Sequence, residues 1–216
     1  MQFANRLDAA ERLSHALRAY RGRHPLILAI PRGAVPMGSV LAQRLEGELD
    51  VVLVRKLRAP GSPEFAIGSI DESGWVYLAP HAHAAGASDG YIEEEKRHQL
   101  AVLRELRARY TPGRDGVDPA GRVAIVVDDG LATGATMIAA LHAIRARKPA
   151  ELVCAVPVAS PDSLELVRPF ADEVVCLDAP QDFYAVGQFY RSFGQVEDEE
   201  AIKLLGKPTG GRNQAA

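Results

Sequence analysis

The sequence predicts an α/β protein in which a doubly wound, mainly parallel sheet is flanked by helices and followed by a small C-terminal appendage. Three observations carry this expectation. Apolar runs at 26–30, 50–54, 122–127, 151–156 and 173–177 alternate with stretches of helical periodicity, the order that builds a parallel sheet through crossover helices. The central runs are almost continuously apolar, as strands covered on both faces require. With 216 residues and 47% hydrophobic content, the chain can bury one substantial core but is short for two.

Phe3, Leu7, Ala10, Leu13, Leu17 and Tyr20 recur at helical spacing, so an amphipathic helix with a structural role opens the chain and ends at Gly22 and Pro25. A strand at 26–30, a helix at 35–45 and a strand at 50–54 follow as a βαβ unit with parallel pairing. Arg55 and Lys56 end that second strand. Residues 57–65 are rich in Pro and Gly and read as part of a mobile loop, 57–68, feeding two short strands at 66–70 and 75–78 around Asp71-Glu-Ser-Gly74. Ile92, Leu100, Leu103 and Leu106 mark a long exposed helix at 89–110, whose charged run at 93–97 is a solvated face. A strand at 122–127, a helix to about 147, a strand at 151–156, a short helix after Pro161 and a strand at 173–177 complete the alternation. The organisation expected is a core at 1–178, an aromatic and polar segment at 179–206, and a disordered tail at 207–216.

Composition narrows the function classes. A net charge of -3 gives no bulk attraction to nucleic acid. Cys154 and Cys176 lie inside apolar runs and read as buried strand residues, not as a metal or redox pair. No apolar stretch resembles a signal peptide or a membrane span, which points to a cytoplasmic protein. The G-x-x-x-x-G-K-[ST], G-x-G-x-x-G and G-x-S-x-G patterns are absent, removing the usual sequence basis for a P-loop ATPase, a dinucleotide enzyme and a serine hydrolase. His81 and His83 have no third ligand near them in sequence and read as a surface loop.

The chemistry concentrates in Val123-Ala-Ile-Val-Val-Asp-Asp-Gly-Leu-Ala-Thr-Gly-Ala-Thr136. An apolar strand ends in two carboxylates, and a small-residue turn then opens a helix. The turn at Thr133-Gly-Ala-Thr136 offers backbone N–H groups and hydroxyls at a helix N-terminus, which suits a phosphate monoester. Asp128 and Asp129 stand where they can accept hydrogen bonds from neighbouring sugar hydroxyls. This stretch resembles the 5-phosphoribosyl-1-pyrophosphate (PRPP) signature of type I phosphoribosyltransferases. The resemblance covers about 26–191, and is closest to bacterial stand-alone members without a defined acceptor. It implies that Asp128 and Asp129 bind the ribose 2- and 3-hydroxyls while Gly130, Leu131, Ala132, Thr133, Gly134, Ala135 and Thr136 wrap the 5-phosphate.

The same resemblance assigns the remaining parts. Pro31, Arg32 and Gly33 occupy the pyrophosphate-loop position, and Arg55 and Lys56 resemble the family's basic pyrophosphate contact. The loop at 57–68 would close over PRPP, with Arg58 or Glu64 entering the closed site. Asp128, Asp129, Lys56 and Arg58 are thus the catalytic candidates. The segment Asp182-Phe-Tyr-Ala-Val-Gly187 resembles the hood of 6-oxopurine enzymes, making Phe183, Tyr184 and Val186 the candidates for the base. Departures leave the acceptor open: Arg191 stands where those enzymes carry an aspartate, position 132 is Ala, and Val158-Ala-Ser160 lacks their lysine. The signature turn is closer to that of adenine or uracil enzymes. The implied reaction displaces pyrophosphate from C1 of PRPP by a ring nitrogen, as in nucleotide salvage, with Mg carried on the substrate and no direct protein ligand to it. Expected partners are PRPP and a nucleobase-like acceptor, with room for a homodimer and neither membrane nor nucleic acid. The alternative is a non-catalytic PRPP- or nucleotide-sensing regulator on the same fold.

Overall fold

The computed structural model describes residues 1–113 and 116–206, residues 63 and 64 by their backbone alone. The tail expected at 207–216 and the candidate side chain of Glu64 lie outside the described residues. Five strands form one parallel sheet: β1 (Leu26–Ala29), β2 (Glu48–Val51), β6 (Val123–Val127), β7 (Glu151–Val158) and β8 (Glu173–Asp178) in the order β2-β1-β6-β7-β8. Three more, β3 (Val54–Ala59), β4 (Ser62–Asp71) and β5 (Val76–Leu78), make a separate antiparallel sheet. The helices are α1 (Arg6–Ala16), α2 (Val35–Leu45), α3 (Asp89–Tyr110), α4 (Ala135–Arg145), α5 (Pro161–Val167) and α6 (Asp198–Leu205).

Alternation along the central strands sends side chains into two cores, one on each face of the parallel sheet. Ile27, Ala29, Ile125 and Val127 join α1, α2 and α3 on one side, where Leu13, Met37 and Leu103 are buried. Leu26, Leu28, Ala124 and Val126 face α4 and α5 on the other, against Met137, Leu141 and Leu164. The helix α2 lies close on the sheet because position 38 is glycine. A Cβ there would come within 2.7 Å of Leu49 Cδ1 and 3.1 Å of Ala29 Cβ.

The order places a switch point between β1 and β6. The chain leaves β1 toward β2 on one side and β6 toward β7 on the other, so the crevice between their carboxyl ends is the place where an open α/β sheet holds a ligand. Ala29 and Val127 are register partners, and the Ile30 N–H donates to the Val127 carbonyl at 3.0 Å. The loops after both strands therefore start at the same level.

Three expectations are corrected. The segment 57–68 is not an irregular loop but most of a hairpin, with β3 and β4 paired from Val54↔Asp71 to Ala59↔Ser62. Pro60 and Gly61 form its turn, Gly61 at φ 70°; a Pro-Gly pair suits the two central positions of a tight turn. The basic residues Arg55 and Lys56 consequently belong to β3 of the small sheet and do not end a parallel strand. The opening helix begins only at Arg6, capped by the Asn5 side chain on the N–H groups of Leu7 and Asp8. Phe3 lies before it in extended backbone, bridged to Tyr190.

Candidate active site

Asp128 and Asp129 follow β6 directly, at the switch point. The Asp129 N–H donates to Asp128 Oδ1 at 2.8 Å. Arg6, reaching in from α1, donates through Nε to Asp129 Oδ2 at 2.9 Å and holds Nη2 2.8 Å from the same oxygen. From the C-terminal segment the Tyr190 hydroxyl donates to the Asp129 carbonyl at 2.6 Å. Desolvation pushes the pKa of Asp128 well above the carboxylate range, and the neighbouring Asp129 charge adds to it. Asp129 is also raised by burial, but Arg6 pulls it back. Two adjacent half-buried carboxylates with one firm cationic partner can accept hydrogen bonds and face positive charge, while their own charge is costly.

The signature turn is shaped to leave backbone donors open. Gly134 has φ 75°, a conformation that glycine adopts freely. Among the described residues, the N–H groups of Ala132, Thr133 and Gly134 meet no acceptor, and α4 begins at once with its own orphan N–H groups. The turn is braced from behind. Ser163 Oγ donates to the Ala132 carbonyl at 2.7 Å, Leu131 bridges Ala159 beyond β7, and Ser69 Oγ donates to the Ala135 carbonyl at 2.7 Å.

The third wall comes from β3. Pro31, Arg55, Lys56, Arg58 and Thr136 line one cleft of about 300 Å³, bringing the expected pyrophosphate loop, the basic strand and the signature turn together. Arg55 donates through Nε to Gln99 Oε1 of α3 at 3.0 Å, while burial and the neighbouring Arg58 lower its pKa. The peptide bond between Pro31 and Arg32 is cis. Gly33 brings that loop against the acidic pair, since a Cβ on it would lie 2.4 Å from Asp129 Oδ2. Arg32 turns outward, its Nη1 3.7 Å from Asp198 Oδ1 of α6. Asp198 also accepts from the Tyr110 hydroxyl at 2.8 Å and pairs with Arg109 at 2.7 Å.

The three residues expected at the base divide. Val186 packs over the signature turn, where a Cβ on Gly130 would meet its Cγ1 at 2.7 Å. Phe183 instead packs on Phe189 with ring centroids 5.2 Å apart, and Tyr184 is 87% exposed. Phe193 meets the acidic pair through a cation, carrying the Arg6 guanidinium 3.9 Å from its centroid, and stacks on Tyr190 at 4.9 Å. Arg6, Tyr190 and Phe193 were not singled out by sequence. An arginine in the first turn of an amphipathic helix carries no signal for a partner 123 positions away.

The profile of the family described as phosphoribosyl transferase domain matches residues 2–193. The chain belongs to this family. It is 40% identical over 209 residues to the Mycobacterium tuberculosis H37Rv protein named Putative phosphoribosyl transferase Rv0571c, and equally to its strain CDC 1551 counterpart MT0597. Each alignment takes in 94% of this chain but 46% of the relative, so the chain spans about half the length of these curated relatives. Among solved structures, TT1426 from Thermus thermophilus aligns with 44% identity and a TM-score of 0.81, covering 98% of this chain and 100% of that one. The family domain thus includes α1, with Arg6, as well as the signature. No helix among the described residues is long and apolar enough to cross a membrane.

Proposed function

We propose that this phosphoribosyl transferase domain binds PRPP with Mg and transfers its 5-phosphoribosyl group to a ring nitrogen of a nucleobase-like acceptor. The observation that carries the reading is the convergence at one crevice of an acidic pair, a turn with open backbone donors and a cationic strand. The 5-phosphate fits the N–H groups of Ala132 to Thr136. Asp128 and Asp129 accept from the ribose hydroxyls and stabilise the cationic character that develops at C1 as its bond to pyrophosphate lengthens. Lys56 and Arg58 face the departing pyrophosphate, with Arg32 available once it leaves Asp198. The C1–O bond breaks, the C1–N bond forms with inversion, the ring nitrogen loses its proton to solvent, and pyrophosphate departs.

Among the described residues no three His, Cys, Asp or Glu side chains converge on a metal-sized gap. Mg would arrive with PRPP and neutralise charge on the departing pyrophosphate. The deciding experiment offers the protein PRPP and Mg with purine and pyrimidine bases singly and follows pyrophosphate. Release dependent on one base supports transfer. Tight PRPP binding without release for any base would turn the reading toward a sensor, and no PRPP binding would remove the site.

A further inference from the structure

We propose that Arg6 is the positioning residue of the acidic pair: it anchors one oxygen of Asp129 beneath the C-terminal segment, so that the other oxygen and Asp128 are presented to the sugar in a fixed orientation. The inference rests on the ribose reading given above and adds to it a residue far from the 123–136 signature.

The geometry of the guanidinium carries it. Nε and Nη2 both approach Asp129 Oδ2, at 2.9 and 2.8 Å, while Nη1 donates to the Gly194 carbonyl at 2.6 Å. The plane lies over the Phe193 ring at 3.9 Å. With three nitrogens engaged and one face covered, the cation is committed to holding its neighbours, and its side chain is only 13% exposed. Among the described residues no side-chain donor reaches Asp129 Oδ1 or Asp128 Oδ2, and only the residue's own backbone N–H adds to Arg6 in favouring the Asp129 carboxylate, which leaves acceptor capacity for hydroxyl groups. The backbone of the pyrophosphate loop closes the arrangement, since a Cβ at Gly33 would come within 3.3 Å of Arg6 Nε and Nη2. One side chain thus ties together α1, both ligand loops and the C-terminal segment.

A lysine would supply the charge without the fork. Ammonium is a point donor, whereas the planar guanidinium can hold a carboxylate and a carbonyl while stacking on an aromatic ring. The charged and titratable groups facing the pair are Arg6 from α1, Lys56 from β3, which acts on Asp128, the Cys154 thiol from β7 beside Asp128, and the Tyr190 hydroxyl from the C-terminal segment. Arg6 is the one in direct contact with Asp129 as a cation. Without it, burial leaves Asp129 with a weaker reason to ionise.

The test compares Arg6→Gln and Arg6→Lys with the unaltered chain, each first shown to be folded by its thermal transition. Carboxyl-carbon NMR of aspartate-labelled protein, with no ligand present, should show Asp129 titrating at higher pH in Arg6→Gln and returning most of the way in Arg6→Lys. Calorimetry with Mg and PRPP should give affinity weaker by about tenfold or more in Arg6→Gln at neutral pH, recovering as pH is raised, with partial rescue in Arg6→Lys. Unchanged Asp129 titration, or equal or tighter PRPP binding by Arg6→Gln, overturns the inference, the latter by making Arg6 a competitor of the ribose. Failure of the unaltered protein to bind PRPP removes the ribose reading and with it the sugar-presenting role, and the NMR arm then reports on the Arg6–Asp129 pairing alone.

Discussion

Burial raises the pKa of both Asp128 and Asp129, and for a carboxylate this reverses the usual relation between charge and stability. In the pH window between the ordinary carboxylate value and the raised folded value, the native state binds more protons than the unfolded chain. Stability therefore falls as pH rises through that window. At neutral pH the pair is a burden on the fold that ligand binding can relieve. Asp128→Asn should accordingly raise the melting temperature of the ligand-free protein by a few degrees near pH 7, with the gain shrinking toward pH 4, whereas Asp129→Asn also takes the charge partner from Arg6 and should not stabilise. Transfer should fall about a hundredfold to a thousandfold, as expected when one preorganised polar contact is lost from a reacting centre. Melting curves across pH and turnover on the same samples check both halves. An Asp128→Asn variant that is less stable at neutral pH and more stable in acid would contradict that sign. The acidic pair was legible in sequence because neighbouring carboxylates at a strand end need no distant information. Arg6 was not, because the contact that gives it a role is formed only by the fold.

Among the elements, the hairpin of β3 and β4 carries Lys56 and Arg58 to the cleft, and its packing argues for order without ligand. Leu57, Ile67 and Ile70 are fully buried, the tip turns tightly at Gly61, and the Tyr91 hydroxyl of α3 donates to the Arg58 carbonyl at 3.0 Å. Hydrogen exchange should therefore find the amides of Leu57 and Ile67 protected in the free protein, with faster exchange confined to residues near Gly61. Exchange at the rate of an unstructured segment at Leu57 would restore the picture of a mobile loop. The Pro-Gly pair misled the sequence reading because two turn residues look the same inside a long loop and at a hairpin tip. Where a boundary has its own chemistry, it was read closely. The helix α3 starts after Ser88, whose side chain accepts from the Tyr91 N–H, and α2 has Pro in its first turn, where a missing N–H costs nothing. The helix α6 went unread because the acidic run 197–200 resembles a solvated stretch, and its attachment is tertiary, through Asp198 to Tyr110, Arg109 and Arg32 and through buried Ala201 and Leu205.

At the scale of the whole molecule, the N-terminal residues meet the segment 189–192 above the switch point. The Phe3 N–H donates to the Phe189 carbonyl at 2.8 Å, and the N–H groups of Arg191 and Ser192 donate back to the carbonyls of Phe3 and Ala4 at 2.9 and 3.0 Å. Phe3 is 0% exposed and its ring lies 5.4 Å from that of Tyr190, the residue whose hydroxyl reaches the Asp129 carbonyl. The segment above the ligand crevice is thus held by the N-terminal residues as well as by its own turn. Phe3→Ala should cost roughly 3–5 kcal/mol of stability through lost burial and the cavity left behind, measured by urea unfolding. It should also weaken PRPP binding at temperatures where the protein remains folded, because Tyr190 and Phe193 lose their support. Tyr190→Phe separates the two effects: it keeps the ring and removes one hydrogen bond, so stability should fall by only about 1 kcal/mol while PRPP binding weakens measurably. If Phe3→Ala melts lower yet the folded protein binds PRPP as before, and Tyr190→Phe also binds normally, the contact between Phe3 and the segment 189–192 is a matter of stability alone and the orientation of Asp129 is set without it.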